Sequence, residues 1–280
     1  MRRASIFAAI LALLSLAAAG LAQRGRGRPQ YSNDPYESVS ARREGEFHFI
    51  RMEYTDLPNA RRGFGYASRD GMGTGWWIVD WPAADNHFTA GVQRLTRLDA
   101  GDPRHLRLTD DHLFDYPFIY CTQTGFWDLS NAEIARLREY LLRGGFLMTD
   151  DFWGPDPRQW EVFRQTMDRV LPGQPISDIA LSDKVMHVLY DIEQKDLTFI
   201  PGSRHLRRTY DGGATVMQPA GTQPAWRAIE DGKGYMVVAV NYNTDIGDAW
   251  EFADIPYYPE SMTRLAYRYG INYLIYSMTH

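Results

Sequence analysis

Hydrophobic positions in the first folded part of the chain switch between a two-residue period and a 3.6-residue period. EFHFIRMEY, which begins at residue 46, alternates and is rich in aromatic residues, as strands often are. Between residues 84 and 95, Phe88, Val92 and Leu95 are spaced for one face of a helix. RHLRLTD and the more apolar YPFIYC then predict two further short strands.

The clearest predicted helix begins after Ser130. Ser130 and Glu133 form a capping box, which satisfies two backbone N–H groups of the first turn, and Gly144–Gly145 marks the end of the helix. FLMT follows as a short buried strand ending at Asp150–Asp151, and residues 157–169 predict another helix. Strands and helices in alternation indicate right-handed crossovers, and therefore an α/β domain whose mainly parallel sheet is covered on both faces.

The later part of the chain predicts shorter strands. Residues 176–181 and the hairpin AWRAIED, GKG, YMVVAVNY, with its turn near Asp231–Gly232, predict a short β-rich C-terminal insertion. A final helix is predicted from Pro259 to about Ser277. No internal repeat or second linker interrupts the sequence, so we predict a single α/β domain over residues 46–280.

The first 45 residues lack this periodicity. Two arginines, an apolar run from Ile6 to Ala19 and the small residues after it predict a signal peptide over residues 1–22. Residues 23–45 are polar and Arg-rich and carry Gly and Pro, which predicts a flexible basic linker. We therefore expect an exported protein, in the periplasm or outside the cell, with no transmembrane span in its mature chain.

Composition and charge narrow the classes of partner. Hydrophobic residues make up 44% of the 280 residues and aromatic residues 14%, which is enough to fill a core. Residues 1–43 hold seven of the 30 basic and two of the 35 acidic residues, which leaves 23 basic and 33 acidic residues in 44–280. Nucleic-acid binding needs a clustered positive face, so it is excluded. The single cysteine, Cys121, excludes an intrachain disulfide and a Cys-based zinc cluster.

Candidate chemistry follows two predicted strands. Asp80 opens DWPAADNH, which also contains Asp85 and His87, and Asp150–Asp151 follow FLMT. Ligands of open α/β sheets bind at the carboxyl ends of the strands, and carboxylates with imidazole suit a divalent metal. The candidates are Asp85, His87 and Asp150 for metal binding, Asp150, Asp151 and His87 for catalysis, and Asp80, Asp85, Asp151 and Trp153 for ligand binding.

Each of these carboxylates also has a structural interpretation. Asp80 is suited to cap the following helix, and Asp150–Asp151 are suited to accept backbone N–H groups from residues 152–154. If the group binds a metal instead, we expect Asp150→Ala to abolish stabilisation by metal with little loss of fold.

Three further motifs are interpreted as structural. Asp245, Asp248 and Glu251 in NTDIGDAWE lack the spacing of an EF-hand, which favours a polar turn. The glycines of residues 71–75 have no strand closely before them and no Lys-Ser/Thr after them, so they predict no phosphate loop. Cys121 ends an apolar strand and is predicted to be a buried structural thiol.

An ordered series of motifs along nearly the whole chain from residue 46 resembles an exported bacterial family known as domain of unknown function 4159 (DUF4159). The motifs are Phe47–Tyr54, GWWIVDWPAADNHFTAGVQRLT, LFDYPFIY, LSNAEIARLREYLLRGGFLMTDDFWG, MHVLYDI with the later IPG, NTDIGDAWE and YGINYLIYSMTH. The resemblance implies a class I glutamine amidotransferase-like fold, which is a flavodoxin-like three-layer sandwich. It implies no particular reaction.

The chain departs from the amidotransferase pattern at the nucleophile. Where those enzymes place a cysteine after the Gly-Gly strand, this chain has Thr149, Asp150 and Asp151, and Cys121 lies on the preceding strand. The departure argues against glutaminase chemistry through a Cys-His pair.

Two hypotheses of different classes stay open at this point. The first is a non-catalytic module that binds a small ligand or an envelope protein in the cleft at the strand ends and holds no certain cofactor. The second is a hydrolase, metal-dependent or carboxylate-based, acting on an envelope saccharide or peptide. Convergence of Asp85, His87, Asp150 and Asp151 in one cleft would favour the hydrolase, whereas outward capping roles for these side chains would favour the binding module.

Overall fold

The computed structural model describes residues 43–60 and 75–280. The predicted signal peptide, most of the predicted linker and most of the Gly-rich segment at 71–75 lie outside the described residues. The strands are β1 (Ile50–Glu53), β2 (Arg104–Arg107), β3 (Phe118–Thr122), β4 (Phe146–Asp150), β5 (Ser177–Asp178), β6 (Leu206–Arg208), β7 (Ala214–Val216), β8 (Ala225–Glu230) and β9 (Met236–Tyr242). The α-helices are α1 (Ala83–Leu95), α2 (Asn131–Leu142), α3 (Arg158–Val170), α4 (Ile246–Glu251) and α5 (Glu260–Thr279).

Seven strands form one mainly parallel sheet in the order β2–β1–β3–β4–β9–β8–β5. The pairs from β2 to β9 are parallel, whereas β8 runs antiparallel to β9 and β5 antiparallel to β8. This confirms the predicted α/β class and the mainly parallel sheet. Because β1, β3, β4 and β9 run in the same direction, their carboxyl ends lie at one edge of the sheet.

The predicted β-rich insertion is wrong in its extent. Within residues 43–60 and 75–280, only β6 and β7 form a separate two-stranded sheet, and β5, β8 and β9 belong to the main sheet. The reason is visible in β9, where MVVAV is buried at every position. Continuous burial is typical of an internal parallel strand, so YMVVAVNY is the neighbour of β4 as well as half of a hairpin.

Helices cover both faces of the sheet and bury two apolar cores. On one face α1, α4 and α5 contribute Phe88, Trp250 and Tyr269. On the other face α2 and α3 contribute Leu137 and Phe163. No helix in the described part of the chain is both long and apolar enough to cross a bilayer.

Local sequence signals explain the helix boundaries. Ser130 Oγ accepts from the Glu133 N–H, and the Glu133 side chain accepts from the Ser130 N–H, so the predicted capping box is confirmed. In α1, Phe88 and Val92 are buried as predicted. The prediction was wrong for Leu95, which is 48% exposed because the buried stripe advances in steps of four residues and bypasses it.

A buried ion pair connects β1 to α1. Arg51 Nε lies 3.0 Å from Asp85 Oδ1, and Arg51 Nη2 lies 2.5 Å from Asp85 Oδ2. Both side chains are 0% exposed. Arg51 also donates to the Val79 carbonyl at 2.7 Å, and its guanidinium lies 4.9 Å from the centre of the Tyr120 ring. The pair therefore fixes the segment that leads from β1 into α1.

We expect Arg51→Met to lower the free energy of unfolding by about 3–5 kcal/mol, because it leaves Asp85 buried without its counter-ion. The double variant Arg51→Met, Asp85→Leu should recover part of that loss, since it removes the stranded charge. Urea denaturation monitored by circular dichroism measures both. Equal losses in the single and double variants would mean that the unpaired carboxylate is not the cause.

Candidate functional site

Asp150, the last residue of β4, is a buried acceptor for three donors. Its Oδ1 accepts from the Tyr120 hydroxyl at 2.6 Å. Its Oδ2 accepts from the backbone N–H groups of Ile246 at 2.7 Å and Gly247 at 2.9 Å. The Asp150 side chain therefore joins β3 and β4 to the first turn of α4.

Asp151, the next residue, is held by a different set of donors. Its Oδ1 accepts from the Trp153 indole N–H and from Arg204 Nη2, the latter at 3.1 Å. Gln123 donates its side-chain amide to Oδ2. The two adjacent carboxylates thus take separate partners, and Asp151 has a left-handed backbone with φ of 52°.

Left-handed backbone conformations recur along this edge of the sheet. In the described residues they occur, apart from glycine, at Gln123 after β3, Asp151 after β4, Asn243 after β9 and Asp80 in the segment that follows β1. Such conformations cost free energy in residues with a side chain, although Asp and Asn adopt them more readily than most. They tend to concentrate at functional sites. Here they mark the carboxyl edge of the sheet as the candidate site.

Five carboxylates converge at this edge, and we call them the carboxylate cluster: Asp80, Asp151, Asp245, Asp248 and Glu251. They form two groups in which one oxygen from each residue lies within 4.8 Å of the others, namely Asp80 with Asp248 and Glu251, and Asp80 with Asp151 and Asp245. The Oδ2 atom of Asp80 is buried and has no hydrogen-bond partner in the part of the chain that the structure describes. Burying a carboxylate oxygen without a partner costs free energy, and a positive charge beside this atom would offset that cost.

Burial and mutual repulsion raise the pKa of several of these carboxyls. Burial, with Asp248 and Glu251, raises the pKa of Asp80 well above its usual range, and burial with Asp151 and Asp248 does the same for Asp245. Burial and the neighbouring Asp151 raise the pKa of Asp150 to about 7. Burial raises the pKa of Asp151 to about 6, against the opposing effect of Arg204.

Arg204 and Trp153 form one wall beside Asp151. The Arg204 guanidinium lies 5.0 Å from the centre of the Trp153 ring, and its side chain is 52% exposed. Trp153 is buried, and its ring also lies against His205. Burial and then Arg204 lower the pKa of His205 to about 4, so this imidazole is neutral near neutral pH. Arg204 is therefore the charged group of this wall that solvent reaches.

The sequence-predicted candidates fall into two sets. Asp80 and Asp151 lie in the carboxylate cluster, and Trp153 donates to Asp151. Asp85 is instead paired with Arg51, and His87 Nδ1 lies 2.8 Å from the Trp250 carbonyl oxygen. Asp150 is occupied by its three donors, as described above. The metal role of Asp85, His87 and Asp150 and the catalytic role of Asp150, Asp151 and His87 stay predictions.

Sequence reasoning missed Asp245, Asp248 and Glu251, which it had assigned to a polar turn. They directly follow β9, whose parallel pairing with β4 brings its carboxyl end beside Asp150 and Asp151. The sequence did contain a signal for these acids, since NTDIGDAWE comes after an apolar strand just as Asp151 comes after β4. The prediction that Cys121 is a buried thiol is confirmed, because Cys121 is free and buried. Its burial raises the pKa of the thiol.

We expect Asp150→Ala to lower the free energy of unfolding by about 2–4 kcal/mol, since three donors lose a buried acceptor. This corrects the sequence-based expectation of little loss of fold. Asp150→Asn, which keeps one side-chain carbonyl oxygen, should cost less. Chemical denaturation of the three proteins measures the difference, and a variant Asp150→Ala as stable as the wild type would contradict the assignment.

The raised pKa values predict a pH dependence in metal-free buffer. The folded protein keeps protons on Asp150 and Asp151 up to about pH 7 and 6, whereas the unfolded chain releases them near pH 4. The resulting stabilisation is fully present below about pH 4 and is lost as the pH rises through 6–7. The melting temperature with chelator present should therefore fall between about pH 4 and 7 and level off above pH 7, with a shallower fall in Asp150→Asn. A melting temperature that rises over this interval would contradict it.

Comparison with known proteins gives one family. No curated protein matches the chain significantly. The family described as a domain of unknown function (DUF4159) matches residues 65–278, which is well over half of the chain and includes every residue of the carboxylate cluster. The chain therefore belongs to the DUF4159 family.

Proposed function

We propose that this chain is an exported envelope protein that binds a divalent cation in the carboxylate cluster and, through that cation, a ligand at the carboxyl edge of its sheet. It is a binding module in this proposal, and its cleft takes a small molecule or an envelope protein. Export follows from the signal peptide predicted in the sequence.

The buried, unpartnered Oδ2 atom of Asp80 carries the proposal. Four other carboxylates surround Asp80, so a bound proton relieves the repulsion on only one oxygen at a time, whereas a divalent cation contacts several. The donors of the cluster are all carboxylate oxygens, which suit Ca²⁺, Mg²⁺ and Mn²⁺ better than a softer ion.

Two features support an amidotransferase-like fold that lacks the nucleophile. The parallel strands follow the order β2–β1–β3–β4–β9, which has the form of the flavodoxin-like order 2-1-3-4-5. Cys121 is buried, and burial raises the pKa of its thiol, which disfavours the nucleophilic thiolate. Both features support a flavodoxin-like sandwich used for binding rather than for cysteine chemistry.

The wall beside Asp151 indicates what the ligand meets. Arg204 forms an ion pair with Asp151, and about half of the Arg204 side chain is exposed to solvent. A ligand with an anionic or strongly polar group could contact Arg204 and the cation together, because Asp151 contacts Arg204 and also belongs to the carboxylate cluster. Trp153 is buried beneath the guanidinium, so it orients Arg204 and Asp151 and offers no open stacking face.

Hydrolysis of an envelope saccharide or peptide is the second candidate. The observation that favours it is the convergence of five carboxylates at one edge of the sheet, because a divalent cation held there would lower the pKa of a bound water. In this metal-dependent form the hydrolase requires the same cation as the binding module.

We expect Ca²⁺, Mg²⁺ or Mn²⁺ at about 100 times its dissociation constant to raise the melting temperature of the purified protein by about 5–10 °C. Asp80→Asn should reduce the shift by about half or more. Asp178→Asn is the matched control, because Asp178 is an 83% exposed carboxylate on β5 paired with Arg227, and it should respond as the wild type does.

His87→Ala separates this proposal from the sequence-predicted metal set. The carboxylate cluster does not contain His87, so this variant should keep the full shift. No shift with any of these ions, or a shift that His87→Ala loses and Asp80→Asn keeps, would overturn the proposal.

A further inference from the structure

We propose that the carboxylate cluster is a two-cation centre in which Asp80 is shared between two divalent ions. The inference rests on the proposed cation-binding function and deepens it. Its starting point is that the five carboxylates do not form one group: the described residues give two groups of three, and Asp80 alone belongs to both.

The two groups come from different parts of the fold. Asp248 and Glu251 are three residues apart on α4, so their side chains leave the same face of that helix. Asp151 follows β4, and Asp245 precedes α4 as its N-cap. Asp80 comes from the segment between β1 and α1 and belongs to both groups. Two separate sets of oxygens therefore meet at one residue.

Each group keeps oxygen capacity for an ion. Asp245 Oδ1 accepts from the Asp248 N–H at 3.0 Å, and Asp248 Oδ2 accepts from the Ser203 N–H at 2.5 Å. Ionised carboxylates offer about four acceptor positions each, so these bonds orient the side chains without exhausting them. Hydrogen bonds of this kind are what fixes metal-ligating carboxylates in other proteins. The oxygens are thus oriented before a cation arrives.

The main chain approaches the carboxylates of both groups closely at two glycines. A Cβ added at Gly247 would lie 2.6 Å from Asp80 Oδ2, and one added at Gly202 would lie 2.3 Å from Asp245 Oδ2 and 3.0 Å from Asp248 Oδ2. These contacts are too short for any side chain. Glycine at both positions therefore lets the main chain lie directly against the carboxylates of both groups.

Charge also favours two ions over one. The described residues bring five carboxylates to the cluster, and Arg204 contributes a guanidinium to Asp151. One divalent cation balances fewer than half of those carboxylates. Two divalent cations bridged by a shared carboxylate are a recurrent arrangement in proteins that bind phosphate and other oxyanions. We therefore expect the ligand of this centre to present an oxyanion, with Arg204 at its side.

The test counts Mn²⁺ by equilibrium dialysis and reads the electron paramagnetic resonance spectrum of the bound ions. The wild type should bind two Mn²⁺ per chain, with the broadened spectrum of a magnetically coupled pair. Asp245→Asn and Asp248→Asn each remove a ligand of one group only, and each should bind one Mn²⁺ with the six-line spectrum of an isolated ion. Asp80→Asn should weaken both sites at least tenfold.

The outcomes separate the two proposals. One Mn²⁺ in the wild type, or loss of both ions in Asp245→Asn and in Asp248→Asn, overturns the two-cation centre and leaves a single cation site standing. No bound Mn²⁺ in the wild type overturns the cation site itself. Asn at position 245 can still cap α4, so this variant keeps the helix start, and circular dichroism verifies its fold.

Discussion

The carboxylate of Asp150 holds the candidate site together. It accepts one hydroxyl from β3 and two backbone N–H groups from α4 while it ends β4 itself. It thereby helps to fix the first turn of α4 against the sheet, and with it the position of the acids before and within α4 relative to Asp80 and Asp151. Burial is the main reason that the pKa of this carboxyl rises to about 7. The fold thus keeps an electrostatically costly group because three donors need it.

The protein manages buried charge in two contrasting ways. Arg51 and Asp85 form a complete pair in which donors and acceptors match. In the carboxylate cluster, by contrast, carboxylates outnumber the guanidinium of Arg204, and one oxygen of Asp80 has no described partner. The first stabilises β1 and α1, and the second creates a demand for positive charge that a ligand can meet.

Local signals in the sequence predicted the individual helices and strands better than they predicted which strands lie side by side in the sheet. The capping box at Ser130 and the strand ending at Asp150 depend on a few adjacent residues, and both were found. The parallel pairing of β9 with β4 joins residues about 90 positions apart in the chain. The hairpin signal before β9 indicated only the pairing of β9 with β8. Asp245, Asp248 and Glu251 were missed for that reason. Arg51 was also hidden, since an arginine within an alternating strand reads as a solvent-facing position until Asp85 is placed beside it.

The carboxylate cluster draws its members from three stretches of chain, around residues 80, 151 and 245–251. Those stretches come together only when β1, β4 and β9 have all been assembled with the helices between them, which makes the cluster a product of long-range contacts. A cation can bind there only when all three stretches are in place, so it stabilises the folded state more than any partly assembled one. A cation bound there would act chiefly by slowing unfolding, with little influence on how fast the chain folds. The lifetime of the folded protein, rather than its rate of formation, would then follow the cation concentration around it.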